Sequence, residues 1–205
     1  MTISEPEFRR ALADFVSKID QFGKVERWTL HKSDLGICAK QSVMTKWRGE
    51  VINRQVHITY NSTYNVPVLW FNFYRRESSF VVQKLFAVSI QRRLKSATIH
   101  GRPLVGSEVK EIVNNDDASN IAEYISLNEH PFLGVLFYNI HPCKTKDIMN
   151  ELSGKGNYIA KWLSVYGSPI GLIPPDILLI SKVFSQRSED VSHSSDDGSL
   201  STLEM

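Results

Sequence analysis

The stretch Val56-His57-Ile58-Thr59-Tyr60-Asn61-Ser62-Thr63-Tyr64-Asn65-Val66-Pro67-Val68-Leu69-Trp70-Phe71-Asn72-Phe73 holds two segments of one character around a break. Val56 to Tyr60 and Val68 to Phe73 are rich in β-branched and aromatic side chains, which pack well on a pleated surface and crowd a helix. Asn61-Ser62 between them is a turn signal, because short polar side chains can bond the local backbone. Towards the N-terminus, Gly36 to Ala39 and Trp28-Thr29-Leu30 have the same strand character, with turn signals at Ser33-Asp34 and Gly49. Short strands joined by turns predict an antiparallel meander.

Before the meander the period of the apolar residues is helical. Ser4-Glu5-Pro6-Glu7 has capping-box spacing, Phe8, Leu12, Phe15 and Ile19 recur every three to four residues, and Gly23 supplies a stop. A single apolar stripe of this kind must be covered, so it is expected to face the core. After the meander, periodicity does not decide between strand and helix for Phe80 to Ile99. Gly101-Arg102-Pro103-Leu104 reads as a turn, Ser107 to Val113 as a short helix, and Asn114-Asn115-Asp116-Asp117 as its break. Val135 to Ile140 reads as a buried strand that runs directly into His141-Pro142-Cys143. Two helices follow, Thr145 to Leu152 with Thr145 as cap and Asn157 to Tyr166 ended by Gly167. The order predicts an α+β domain with helices packed on one antiparallel sheet.

The bulk properties agree. The chain has 205 residues, 42% hydrophobic and 22% charged, the composition of an ordinary globular domain with enough chain for its own core. The apolar runs are interrupted well short of the roughly 20 residues that span a bilayer, so no transmembrane helix is expected. Met1 to Arg10 has no apolar stretch behind it, hence no secretory signal is expected, and the reading is cytoplasmic. From Ser185 to Met205 five acids oppose one arginine among seven serines, a net −4 that leaves +6 on the body. One folded domain is therefore assigned to 1–184, and 185–205 is expected to be a disordered acidic tail. The body charge is too diffuse to argue for nucleic acid.

Cys38 and Cys143 are too few for a disulfide framework, and the six histidines form neither a Cys-x-x-Cys nor a His-Glu-x-x-His pattern, so no metal is expected. Cys38 lies in the strand-like Gly36 to Ala39 with no neighbouring base and is expected to pack. Cys143 follows Pro142, which fixes the approach of the chain, and precedes Lys144 and a helix start, a setting that favours thiolate. Those local features fit a nucleophile and equally a buried cysteine in a strand-to-helix turn. Papain-like chemistry needs a downstream histidine, and the only one is His193 in the tail. A Cys-x5-Arg phosphatase loop would need arginine where Met149 stands. Hydrolysis with an upstream histidine, or exchange through a single thiol, is left.

Tyr64-Asn65-Val66-Pro67-Val68-Leu69, Gly101-Arg102-Pro103-Leu104, Glu129-His130-Pro131-Phe132-Leu133-Gly134 and Phe137 through Thr145 occur in an order that resembles the autophagy ubiquitin-like-conjugating enzymes of the autophagy-related protein ten family. Trp162-Leu163-Ser164 and Pro169-Ile170-Gly171-Leu172 are similar to that family's C-terminal segment. The resemblance implies a modified ubiquitin-conjugating fold and a relay. The cysteine, here Cys143, would take the ubiquitin-like autophagy-related protein twelve as a thioester from its activating enzyme, autophagy-related protein seven. It would then pass the modifier to a lysine of autophagy-related protein five with neither ligase nor cofactor.

Attack of an amine on a thioester builds charge on the oxygen, so a hydrogen-bond donor is expected nearby, and Tyr64 and His141 are the candidates, with Pro142, Lys144 and Thr145 shaping the thioester loop. Tyr64 could instead sit at the rim of the sheet, and His141 could only shape the turn. Ordinary ubiquitin-conjugating enzymes carry a His-Pro-Asn block several residues before the cysteine, whereas here His-Pro abuts it. The length between Arg76 and Ile99 also exceeds the family's expected connection. Two readings from other classes are a catalytically silent adaptor with Cys143 buried, and a cysteine hydrolase using His130.

Overall fold

The computed structural model describes residues 1–22, 27–75, 101–114, 123–152 and 154–179. The expectations placed on Gly23, on Phe80 to Ile99, on Asn115 to Asp117 and on the tail from Ser185 lie outside the described residues.

Helix α1 (Glu5–Phe22) begins as its sequence predicts. Glu7 Oε2 accepts from the Ser4 backbone N–H at 2.9 Å and from the Ser4 hydroxyl at 2.5 Å, and those two bonds hold the Glu7 carboxyl below its ordinary range. Phe8, Leu12 and Phe15 are fully buried against the sheet, Phe15 edge-on to Trp28 with ring centroids 5.6 Å apart. Each such side chain taken out of water contributes about 2 kcal/mol.

The meander comprises β1 (Trp28–Ser33), β2 (Gly36–Trp47), β3 (Glu50–Asn61) and β4 (Val66–Arg75). β2 and β3 are much longer than the apolar cores Gly36 to Ala39 and Val56 to Tyr60 suggested. The outer half of β2 alternates half-buried with exposed residues and that of β3 buried with half-buried ones, and it is pairing from Ala39↔Ile58 out to Trp47↔Glu50 that keeps them extended. The two-residue turn at Arg48-Gly49 has φ of 50° and 79°, the left-handed pair that matches the twist of a hairpin.

Gly101 to Leu104, read as a turn, contains the short strand β5 (Arg102–Pro103), which pairs with the end of β4. Gly101 has φ +131°, and a Cβ there would stand 2.0 Å from the Arg75 carbonyl oxygen, so only glycine lets the chain come this close. Helix α2 (Gly106–Asn114) follows. Strand β6 (Ile125–Glu129) was not foreseen, because Ser126, Asn128 and Glu129 dilute its apolar signal; it is held by β7 (Leu136–Ile140) through pairs from Ile125↔Ile140 to Glu129↔Leu136. Helices α3 (Thr145–Glu151) and α4 (Tyr158–Tyr166) complete the α+β domain. Among the described residues no helix is long and apolar enough to cross a membrane.

The sheet runs β1-β2-β3-β4-β7-β6, with β5 beside β4, and every pair is antiparallel. Because side chains alternate faces, β4 serves two cores at once. Leu69, Phe71 and Phe73 join the main core with α1, α2 and α4, while Val68 and Trp70 turn to the opposite face and meet Phe137, Leu133 and Val135. The side chain of the buried Arg54 on β3 donates to the carbonyls of Ile170 and Gly171 at 2.9 and 2.5 Å, tying the loop after α4 to the sheet.

Candidate active site

β7 delivers the chain to Cys143. His141 is extended (φ −62°, ψ 131°) and its N–H donates to the Tyr124 carbonyl at 2.8 Å, which fixes where the strand ends. Pro142 then starts a single 3-10 turn, Pro142–Lys144, that leads into α3. Proline at the first position suits a turn whose first N–H would be unpaired. The cap is His141: its Nδ1 accepts from the Cys143 N–H at 3.2 Å. A neutral ring whose Nδ1 accepts carries its proton on Nε2, so His141 keeps one donor free of the turn. Cys143 is exposed, Pro142 is buried, and Lys144 is exposed.

Thr145 does not cap α3 as its position suggested. The residue at the cap is Lys144, with no side-chain bond, and Thr145 is fully buried with its hydroxyl donating to the Tyr166 oxygen at 2.9 Å. The Thr145 N–H also returns to the Pro142 carbonyl. The turn that carries Cys143 is thus held at one end by His141 and at the other by Tyr166 on α4. Burial raises the Tyr166 phenol above its ordinary value, and the bond from Thr145 opposes that shift only in part. Nothing in the sequence singled out Tyr166 for this position.

Tyr64 comes from the loop between β3 and β4. It lies in the turn and not in the sheet, where its N–H and that of Thr63 both donate to Asn61 Oδ1 at 3.0 Å. Asn65 beside it takes φ 53°, and the Tyr60 hydroxyl lies 2.9 Å from Asn65 Oδ1 and 3.0 Å from the Ile3 carbonyl oxygen. The half-exposed Tyr64 ring stands edge-on to His141, centroids 5.5 Å apart. The fold therefore brings together Tyr64, His141 and Cys143, three residues the sequence reading had nominated.

Cys38 is fully buried, as expected of a packing residue, and desolvation pushes its thiol up to about 12. The expectation that it has no base nearby is corrected: donor atoms of Cys38, His57 and His130 all lie within 4.8 Å of one another. β2 and β3 pair Lys40 with His57, and β3 and β4 pair His57 with Trp70, so one face of the sheet gathers Cys38, His57 and Trp70. His130 enters from the turn between β6 and β7. Its Nδ1 accepts from the Phe132 N–H at 3.1 Å, and its Nε2 lies 3.0 Å from His57 Nδ1. Burial lowers His57 to about 2 and His130 to about 4. With both ring nitrogens engaged and no exposure, His130 is poorly placed to serve the exposed Cys143 as a base.

Residues 38–177 match the family model described as autophagocytosis associated protein, active-site domain. The chain is 29% identical to the ubiquitin-like-conjugating enzyme ATG10 of Homo sapiens over 160 residues, which is 73% of this chain and 61% of that protein. With the ubiquitin-like-conjugating enzyme ATG10 of Arabidopsis thaliana it shares 28% over 137 residues, covering 60% of this chain and 51% of the relative. The chain thus spans less than two thirds of the length of these relatives. Among solved structures it resembles a crystal structure of the autophagic E2 Atg10, with a TM-score of 0.53, 16% identity and coverage of 83% of this chain and 98% of the other. It also resembles the solution structure of KmAtg10, with a TM-score of 0.51, 20% identity and coverage of 85% and 100%. At those identities the structural likeness establishes the fold.

Proposed function

Because the chain belongs to the family of the autophagocytosis associated protein active-site domain, we propose that it is a cysteine-dependent transferase. In this reading Cys143 carries a ubiquitin-like modifier as a thioester and releases it to a lysine. The observation that carries the proposal is that Cys143 is exposed on a turn pinned from both sides, inside the family-matched segment, while Cys38 is buried. The modifier is the autophagy-related protein twelve, its donor the activating enzyme autophagy-related protein seven, its acceptor the autophagy-related protein five, and the compartment the cytoplasm. The domain that does this is residues 1–184, with 185–205 dispensable for it.

Loading is an exchange: the Cys143 thiolate attacks the modifier's carbonyl, a new C–S bond forms, the old one breaks, and the activating enzyme leaves as thiolate. Discharge differs. The lysine amine attacks, negative charge collects on the carbonyl oxygen, the C–N bond forms, Cys143 leaves as thiolate and the nitrogen loses its proton to solvent or base. A donor aimed at that oxygen lowers the barrier by about 3 kcal/mol. Tyr64 and the Nε2–H of His141 are assigned that donation, and neither a cofactor nor a metal takes part.

Reconstitution with the activating enzyme, ATP and modifier, read on a non-reducing gel, tests the reading. An adduct that thiol reductant removes is expected on the wild type, and Cys143→Ser gives a reductant-resistant ester or none. A reducible adduct that persists in Cys143→Ser overturns it. In a pulse-chase with acceptor, Tyr64→Phe and His141→Ala load at normal rates and discharge more slowly, by about tenfold to a thousandfold where the side chain donates. A silent adaptor requires a buried Cys143, and the exposed thiol disfavours it.

A further inference from the structure

We propose that Cys38, His57 and His130 form a binding site for a single thiophilic cation of the zinc class, held between β2, β3 and the turn that joins β6 to β7. One sulfur and two imidazoles are the donors such a cation selects, whereas calcium and magnesium take oxygen. The three donor atoms lie within 4.8 Å of one another, and His57 Nδ1 and His130 Nε2 are already 3.0 Å apart, so small side-chain rotations bring all three onto one ion. None of the three belongs to the Cys143 turn.

The surroundings are dry. The Phe137 ring lies 5.0 Å from His57 and 5.1 Å from His130, and the Trp70 ring lies 5.0 Å from His130, all centroid to centroid. Imidazole ligates in its neutral form, and burial holds both histidines neutral. Two features oppose the cation. Cys38 is protonated, so its proton leaves to water as the metal–sulfur bond forms, and the half-buried Lys40 places a positive charge near all three groups. The metal–sulfur bond offsets the loss of that proton, and the thiolate cancels one of the cation's two charges.

One existing bond must change. Because the Phe132 N–H donates to His130 Nδ1, the His130 proton sits on Nε2, shared with His57. The cation takes the place of that proton, which moves to Nδ1, and the Phe132 amide loses its acceptor. Losing one amide hydrogen bond at a half-buried turn is a small cost beside a metal–thiolate bond. The ion would clamp the β6–β7 turn to the meander with three protein ligands, leaving a fourth position for water.

The test is titration of the full-length Cys143→Ser protein, which lacks the exposed thiol, with cobalt(II) as the spectroscopic probe for zinc. The expected result is a near-ultraviolet thiolate-to-cobalt charge-transfer band that saturates at one equivalent and is bleached by zinc. The band should vanish in Cys38→Ser/Cys143→Ser, and His57→Gln/Cys143→Ser should bind cobalt at least about tenfold more weakly. Circular dichroism reports whether each variant folds; where Cys38→Ser does not, the His57→Gln titration and the rise in thermal midpoint that zinc gives only with an intact triad decide. No charge-transfer band at one equivalent, or an undiminished band without Cys38 or His57, overturns the proposal and leaves a hydrogen-bonded neutral core.

Discussion

Cys38 and Cys143 each have a His-Pro turn for company, and the two turns share a local geometry. His130 Nδ1 accepts from the N–H two residues on, at 3.1 Å, and His141 Nδ1 does the same at 3.2 Å. What differs is the dielectric around them. At the first, the histidine and the cysteine are fully buried, a second histidine completes the cluster, and aromatic rings close it. At the second, the cysteine is exposed, the histidine is half-buried, and the ring of a half-exposed tyrosine stands edge-on to it. A thiol and an imidazole thus become inert core or available chemistry according to which side of the sheet's outline they fall.

The largest effect expected is on thiol reactivity. A thiol pushed up to about 12 is ionised to about one part in ten thousand at pH 8, and it is also out of reach. Iodoacetamide should therefore label Cys143 in the folded protein and leave Cys38 untouched, with both labelled in denaturant, as read by intact-protein mass spectrometry. Equal labelling in the folded state would erase the contrast between the two sites.

Acid should act on the buried pair. His57 and His130 sit below the unfolded value of 6.5, at about 2 and about 4, so beneath pH 6.5 the unfolded chain binds protons that the folded chain refuses. Stability is full above pH 6.5 and falls on acidification, by as much as about 2.7 kcal/mol per pH unit for the two together between pH 6 and 4. Urea midpoints measured from pH 7 to 5 check it, and His130→Gln should flatten the slope. An unchanged slope would mean the pair does not stay neutral.

Substitution of the two capping histidines sharpens the comparison further. His130→Ala removes a packed ring and orphans His57 Nδ1, for a loss of about 3 kcal/mol, whereas His141→Ala removes a cap and should cost about 1 kcal/mol. Denaturant unfolding of both variants decides, and equal losses would refute it. Thr145→Val deletes the bond to Tyr166 and should cost no more than His141→Ala, about 1 kcal/mol, while leaving Cys143 alkylation within a few-fold of wild type.

The parts of this protein legible in its sequence are those in which neighbouring residues act together. The Phe8, Leu12, Phe15 stripe, the capping box at Ser4 and Glu7, the meander and the strand leading into His141-Pro142-Cys143 all follow from local periodicity and local hydrogen bonding. Strand β6 was missed because a polar segment has no reason of its own to be extended and becomes so only when β7 pairs with it. Thr145 was misread for a related reason: a threonine at a helix start is locally a cap, and only the arrival of α4 offers it Tyr166.

By itself, then, the sequence determined the class of the fold and the strand that runs into a turn at Cys143, because strands and turns are signalled by residues one to three positions apart. Which thiol meets solvent, the edge contact of Tyr64 with His141, and the gathering of Cys38, His57 and His130 were decided by tertiary structure. His57 and His130 are 73 positions apart, and their meeting depends on the pairing register of β3 with β4 and on the turn between β6 and β7 folding over that face. A one-residue slip of β3 would send His57 to the opposite side of the sheet, and no local pattern encodes that.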